Sequence, residues 1–133
     1  MKKRYGIDTS ILMRLMTGEP AKDFARTVKS LEALLEQKPG ADILASNQVI
    51  GEAYIAVRHH YGISKADARA ALLSVLTSGL VAPLNGTAVL DAIRHTEGCG
   101  LLDRLIVDDY ARNGVETLTH DRKMGALPDA TRL

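Results

Sequence analysis

The sequence predicts an α/β fold: a central parallel β-sheet flanked by α-helices. Short apolar runs, too brief for helices, alternate along the chain with longer segments whose apolar residues recur every three or four positions. Gly, Pro, Asn and Ser punctuate nearly every junction between them. Strands joined by helical crossovers must pair in parallel, and the crossovers cover both faces of the sheet.

Each element follows from local chemistry. Tyr5 to Ile7 reads as the first strand, and Ile11 to Met16 as a short helix that Gly18 and Pro20 stop. Ala21 to Gln37 is a long amphipathic helix: Phe24, Val28, Leu31, Leu34 and Leu35 fall on one face, with Lys22, Arg26, Lys29, Glu32 and Glu36 elsewhere. Pro39-Gly40 ends it. Ile43 to Ala45 forms the second strand, and Ser46 or Asn47 caps a helix running to about His60. Ser64 opens the next helix and Ser78-Gly79 closes it. Leu80 to Leu84 is a third strand that Pro83 weakens, followed by a helix from Thr87 to about Glu97. After Gly98-Cys99-Gly100 a last helix spans Leu101 to Asn113, with Gly114 suited to its left-handed cap. Val115 to Thr119 is a further strand, and the tail GALPDATRL is short for another.

Composition narrows the function classes. A chain of 133 residues is expected to form a single domain, 1–133, burying about two thirds of the surface its unfolded form exposes. With 46% hydrophobic and 25% charged residues it is a globular rather than a disordered sequence, and with one Phe and no Trp its core must be aliphatic. A net charge of +1 gives no global attraction to polyanions, so nucleic acid would need a local basic patch. Cys99 is the only cysteine, which excludes an internal disulfide and a zinc site of several thiolates. The start MKKRYGIDTS has no apolar run of signal-peptide length and no segment reaches membrane-span length, so the expectation is a soluble, cytoplasmic protein.

Four acids stand out. Asp8 and Asp121 follow strands, where open α/β sheets place their ligands, although Asp8 is also a good helix N-cap worth about 1 kcal/mol. Asp103 shares a helical stripe with Ile106, Val107 and Tyr110, and Glu52 has Gln48, Val49, Ile55 and Ala56 as neighbours with Gly51 beside it, the alternative being an exposed helix residue paired with Arg58 or a distant base. Arg104, Asp108 and Arg112 instead form a solvated row four residues apart, and Asp109 is ambiguous. Gathering Asp8, Glu52, Asp103 and Asp121 is costly, since two like charges at ~5 Å repel by roughly 3 kcal/mol at an effective dielectric of 20. Protonation or a divalent cation relieves this, and oxygen-only ligands select Mg²⁺ or Mn²⁺. Such an ion suits phosphodiester hydrolysis.

The segments IDTSILMRLMTGEP, ASNQVIGEAYIAV and LLDRLIVDDYARNGVETLTHDRKM, in this order and spacing, resemble the PIN-domain ribonucleases, in particular the VapC toxins of toxin–antitoxin pairs. The resemblance covers nearly the whole chain. It implies a metal-dependent endoribonuclease with Asp8, Glu52, Asp103 and Asp121 as the catalytic acids. Asp8 and Asp103 would ligate Mg²⁺ (or Mn²⁺) directly, and Asp121 directly or through water. Glu52 would hold a metal-bound water or a second metal and help deprotonate the attacking water. Thr9, Ser10 and Thr119 would orient carboxylates or serve as caps and strand residues. The chain departs from the family at Asp108-Asp109, where small residues are common, and in its short tail.

The resemblance further implies an RNA substrate, a homodimer and a cognate VapB-like antitoxin. The antitoxin would lay an apolar helix in a groove including Ile11, Leu12, Leu15 and Phe24 and offer a basic side chain to the acids. Arg14, Arg94, Arg104, Arg122 and Lys123 are near the acids in sequence, while the aromatics Tyr5, Phe24, Tyr54, Tyr61 and Tyr110 are scattered. The adjacent His59-His60 is poorly spaced for a metal, and His95 and His120 stand apart. Two alternatives remain. A haloacid-dehalogenase-like phosphatase would want an acid where Ser10 stands, and a catalytically inactive PIN-like module would bind protein or RNA without cleaving.

Overall fold

Strand and helix alternate as the patterning requires. The computed structural model describes residues 2–133, and the chain divides into two units, one running to Leu84 and the other comprising Asn85–Leu133. The first unit contains β1 (Arg4–Gly6), α1 (Thr9–Thr17), α2 (Ala21–Gln37), β2 (Asp42–Ala45), α3 (Asn47–Tyr61), α4 (Lys65–Leu76) and β3 (Ala82–Pro83). Its strands form a parallel sheet in the order β1-β2-β3, with Tyr5 opposite Ile43 and Leu44 opposite Ala82. The second unit contains α5 (Thr87–Arg94), α6 (Leu101–Arg112), β4 (Thr117–Thr119), a 3₁₀ turn at Met124–Ala126 and β5 (Ala130–Arg132). There β4 and β5 pair in parallel, with Leu118 opposite Thr131.

All strand pairing is parallel, as expected for an α/β fold, and the pairs are distributed over two sheets. The tail supplies β5, a strand whose side chains are mostly exposed and therefore show no apolar pattern. Its backbone carries it: Thr117 N–H donates to Asp129 O, and Leu133 N–H donates to Thr119 O. The third strand shrinks to Ala82–Pro83 at the edge of its sheet, where a residue without an N–H is tolerated. Helix α5 ends at Arg94 rather than near Glu97, because Ile93 is its last buried position and residues 95–98 are exposed.

In the first unit α1 packs against α2, α3 and α4, and α3 packs against α4. Leu12, Ile50, Val57 and Leu72 are fully buried there, each worth about 1.5–3 kcal/mol of removal from water. Leu12 is thus core and not part of a partner groove, whereas Ile11, Leu15 and Phe24 are half-buried. In the second unit α5 packs on α6, and Val89, Ile93, Leu101 and Leu105 are buried. Cys99, Val107 and Met124 form a cluster with Leu127 and Ala130 against it.

The α6 stripe differs from its expected reading. Val107 is buried, but Ile106 and Tyr110 are 44% and 49% exposed, so Asp103 does not lie on a uniformly buried face. The helix closes as anticipated: Gly114, at φ 71°, donates its N–H to Ala111 O. A tighter constraint is Gly125, where a Cβ would fall 2.7 Å from Arg132 Cβ.

Candidate active site

Asp8 and Asp121 occupy equivalent places, each two residues beyond the carboxyl end of a parallel strand, β1 and β4 respectively. That is where open parallel sheets hold ligands. Asp8 caps α1: its Oδ1 accepts from Ile11 N–H at 3.1 Å and from the Ser10 hydroxyl at 2.7 Å. The Ser10 hydroxyl first, and the Ile11 amide second, hold its carboxyl below the ordinary aspartate value. The cap reading of Asp8 is therefore correct. Oδ2 takes part in neither of these two bonds.

Glu52 is exposed on α3 and tied to α1 by Thr9, whose hydroxyl donates to Glu52 Oε1 at 2.7 Å. This bond spans 43 residues of sequence and fixes one carboxylate oxygen while leaving the other outside it. Thr9 was anticipated as an orienting residue, but its partner could not be read from the sequence. The residue that holds Glu52, Thr9, directly follows Asp8 at the start of α1.

In the second unit Asp121 repeats the Asp8 arrangement. Its Oδ1 accepts from Met124 N–H at 2.7 Å, and the Thr119 hydroxyl accepts from Asp121 N–H at 3.0 Å. Asp103, in the first turn of α6, is partly buried. Burial chiefly, and the negative charge of Asp121 next, push its carboxyl above the usual range.

Asp108 and Asp109 are tied into contacts within the second unit. Asp108 Oδ2 pairs with Arg112 Nε at 3.1 Å and accepts from Asn85 Nδ2 at 2.9 Å, and the same Asn85 amide donates to Asp109 Oδ1 at 2.8 Å. Asn85 accounts for the ambiguous Asp109; its only sequence signal was a turn-forming Asn-Gly. Arg104 leaves the expected charge row and donates to Glu97 O at 2.6 Å. Cys99 is buried with Val107 and Met124, and burial pushes its thiol up, which is the state of an inert core thiol.

Among the described residues of either unit, no group of three His, Cys, Asp or Glu side chains forms a metal-holding set. The donor chemistry nevertheless fits a hard divalent ion. Within each unit the acids, Asp8 and Glu52 in the first and Asp103 and Asp121 in the second, offer carboxylate oxygens only, and Asp8, Glu52 and Asp121 are each fastened through one oxygen with the other left out of those bonds.

Beside Glu52 a groove of about 540 Å³ is lined by Thr9, Glu52, Ile55, Ala56, His59 and His60. Among the described residues, no helix is long and apolar enough to cross a membrane.

Parallel α/β units with acids beyond their strand ends place carboxylates where such folds hold ligands. The PIN domain model matches residues 5–130, and the chain belongs to the PIN domain family. Members of this family are typically nucleases that act on nucleic acid and generally use divalent metal ions. No curated protein and no solved structure matches the chain.

Proposed function

We propose that the chain is a Mg²⁺- or Mn²⁺-dependent endoribonuclease, the VapC-like toxin of a toxin–antitoxin pair. The observation that carries the reading is the matched fastening of Asp8 and Asp121 through Oδ1, each just beyond a strand end and both inside the family match. That match crosses the division at Leu84, which supports reading residues 1–133 as one PIN-like domain.

Asp8, Asp103 and Asp121 would hold the ion through carboxylate oxygens. When bound, it supplies positive charge for the phosphoryl oxygens and makes water more acidic. Glu52, steadied by Thr9 through Oε1, accepts the proton of the attacking water at its other oxygen. Water adds to phosphorus, one P–O bond of the RNA backbone breaks, the departing oxygen takes up a proton from solvent water, and Glu52 returns its proton to solvent. Asp103 is poised for a cation because burial and Asp121 make its ionised form costly without one.

The protein works in the cytoplasm as a homodimer, inhibited by a VapB-like antitoxin. Its apolar helix would meet Ile11, Leu15 and Phe24, and its basic side chain would meet the acids.

Cleavage of total cellular RNA by the purified chain, with Mg²⁺ or Mn²⁺ and with EDTA, tests the reading. Cleavage that needs the ion and disappears in folded Asp8→Asn and Asp103→Asn supports it. Growth arrest on expression, relieved by Asp103→Asn, supports the toxin role. Equal behaviour of wild type and variants would turn the reading to a non-catalytic binding module.

A further inference from the structure

The groove on α3 is not used by the core. Glu52, Ile55, Ala56 and His59 recur at i, i+3, i+4 and i+7, so they form one stripe about 10 Å long, with His60 flanking it and Thr9 closing it from α1. Ile55 is 40% exposed, and both histidines are exposed. The groove is shallow and open to solvent, with a volume of about 540 Å³. Glu52 is the one acid in the lining, at one end. Two imidazoles, planar and able to donate N–H bonds, occupy the other, and the floor between them is aliphatic.

We propose that this groove seats one unstacked nucleotide of single-stranded RNA, adjacent to the bond that is cut. The inference rests on the nuclease reading above, because the groove begins at Glu52. A base lies flat on Ile55 and Ala56 and stacks against an imidazole, while the backbone phosphate leading away from the acids meets the histidine N–H groups. Beside Glu52 a phosphate is accommodated only where the ion offsets the carboxylate charge, so the next, non-scissile phosphate is favoured at the histidines, which gives the strand a direction. A partner helix suits the groove poorly, since it offers a single large aliphatic anchor, Ile55, where a docked helix buries several. A base within a duplex is stacked on its neighbours and cannot enter.

The test compares the full chain with the His59→Ala/His60→Ala variant. Fluorescence anisotropy of a labelled single-stranded RNA in EDTA reads binding, and steady-state cleavage with Mn²⁺ reads KM and kcat. Affinity is expected to fall about fivefold to a hundredfold, KM to rise in step, and kcat to stay within about twofold. His59→Phe, which restores a stacking face, retains most of the affinity. Photocrosslinking of 4-thiouridine RNA to the unmodified chain should label the peptide covering residues 47–61. Unchanged KM and affinity in a wild type that cleaves overturn the groove assignment and leave the nuclease reading standing. So do crosslinks confined to other segments, or a variant that keeps RNA affinity but changes its mass by sedimentation, which would give the groove to a second copy of the chain. A wild type that neither binds nor cleaves RNA overturns both.

Discussion

The Asp8 carboxylate separates two roles by charge. Its hydrogen bonds from Ser10 and Ile11 favour the ionised form, so the folded-state pKa lies below the unfolded one. The resulting stability is complete above about pH 4, the ordinary aspartate value, and is lost as pH falls through the lower folded value. Asp8→Asn keeps a carbonyl oxygen for the Ile11 amide and loses the charge. It is expected to melt no more than slightly lower than wild type near neutral pH, since solvent screens the exposed charge and Asn also caps, with the gap closing in acid, as followed by circular dichroism. Its cleavage rate should drop by roughly two to three powers of ten. Asp103 has the opposite sign. Burial and Asp121 raise its pKa, so stability starts to fall as pH rises through the ordinary aspartate value and the cost is complete above the raised folded-state value. Asp103→Asn should therefore melt higher than wild type near neutral pH while losing activity to a similar extent. A lower melting point for that variant would show that the carboxylate has a stabilising partner.

At the scale of elements, the helices are set by caps and period, and the strands by pairing. Ser46 caps α3 by accepting from Val49 N–H at 3.2 Å, and Ser64 caps α4 by accepting from Asp67 N–H at 3.1 Å. Ser46→Ala should cost about 1 kcal/mol in urea unfolding. The turn after β4 depends on a close approach instead: a Cβ at Gly125 would be 2.7 Å from Arg132 Cβ and 3.1 Å from its backbone N. Gly125→Ala must push β5 away and is expected to destabilise the second unit by about 1–3 kcal/mol, readable as faster hydrogen exchange at the β4–β5 amides. Helices α1, α3 and α4 were legible from a side-chain cap and α2, α5 and α6 from their 3.6-residue period and flanking Gly or Pro, signals written within a dozen or so residues. The β5 strand was not, because its partner bonds are made by backbone that carries no pattern.

For the whole molecule, an ion that binds only the folded chain must stabilise it. At a hundred times its dissociation constant, Mg²⁺ or Mn²⁺ should add about 2.7 kcal/mol and raise the melting midpoint, and EDTA should reverse the shift. The shift is expected to vanish in Asp8→Asn and in Asp103→Asn. This measurement needs no substrate, so it reads the proposed ion directly even where the RNA target is unknown.

The sequence by itself determined the alternation of parallel strands and helices, the caps that open the helices at Asp8, Ser46 and Ser64, and the carboxylates that follow strands. Those properties depend on neighbours within one or two turns of chain, where hydrophobic period and hydrogen-bonding type act locally. Only the tertiary structure decided that Thr9 holds Glu52 across 43 residues, that Asn85 ties down Asp108 and Asp109, and that the tail pairs with β4. It also decided that Leu12 is core while Ile106 and Tyr110 face outward. An apolar or acidic side chain has the same composition whether buried or exposed, and contacts made far along the chain settle which it becomes.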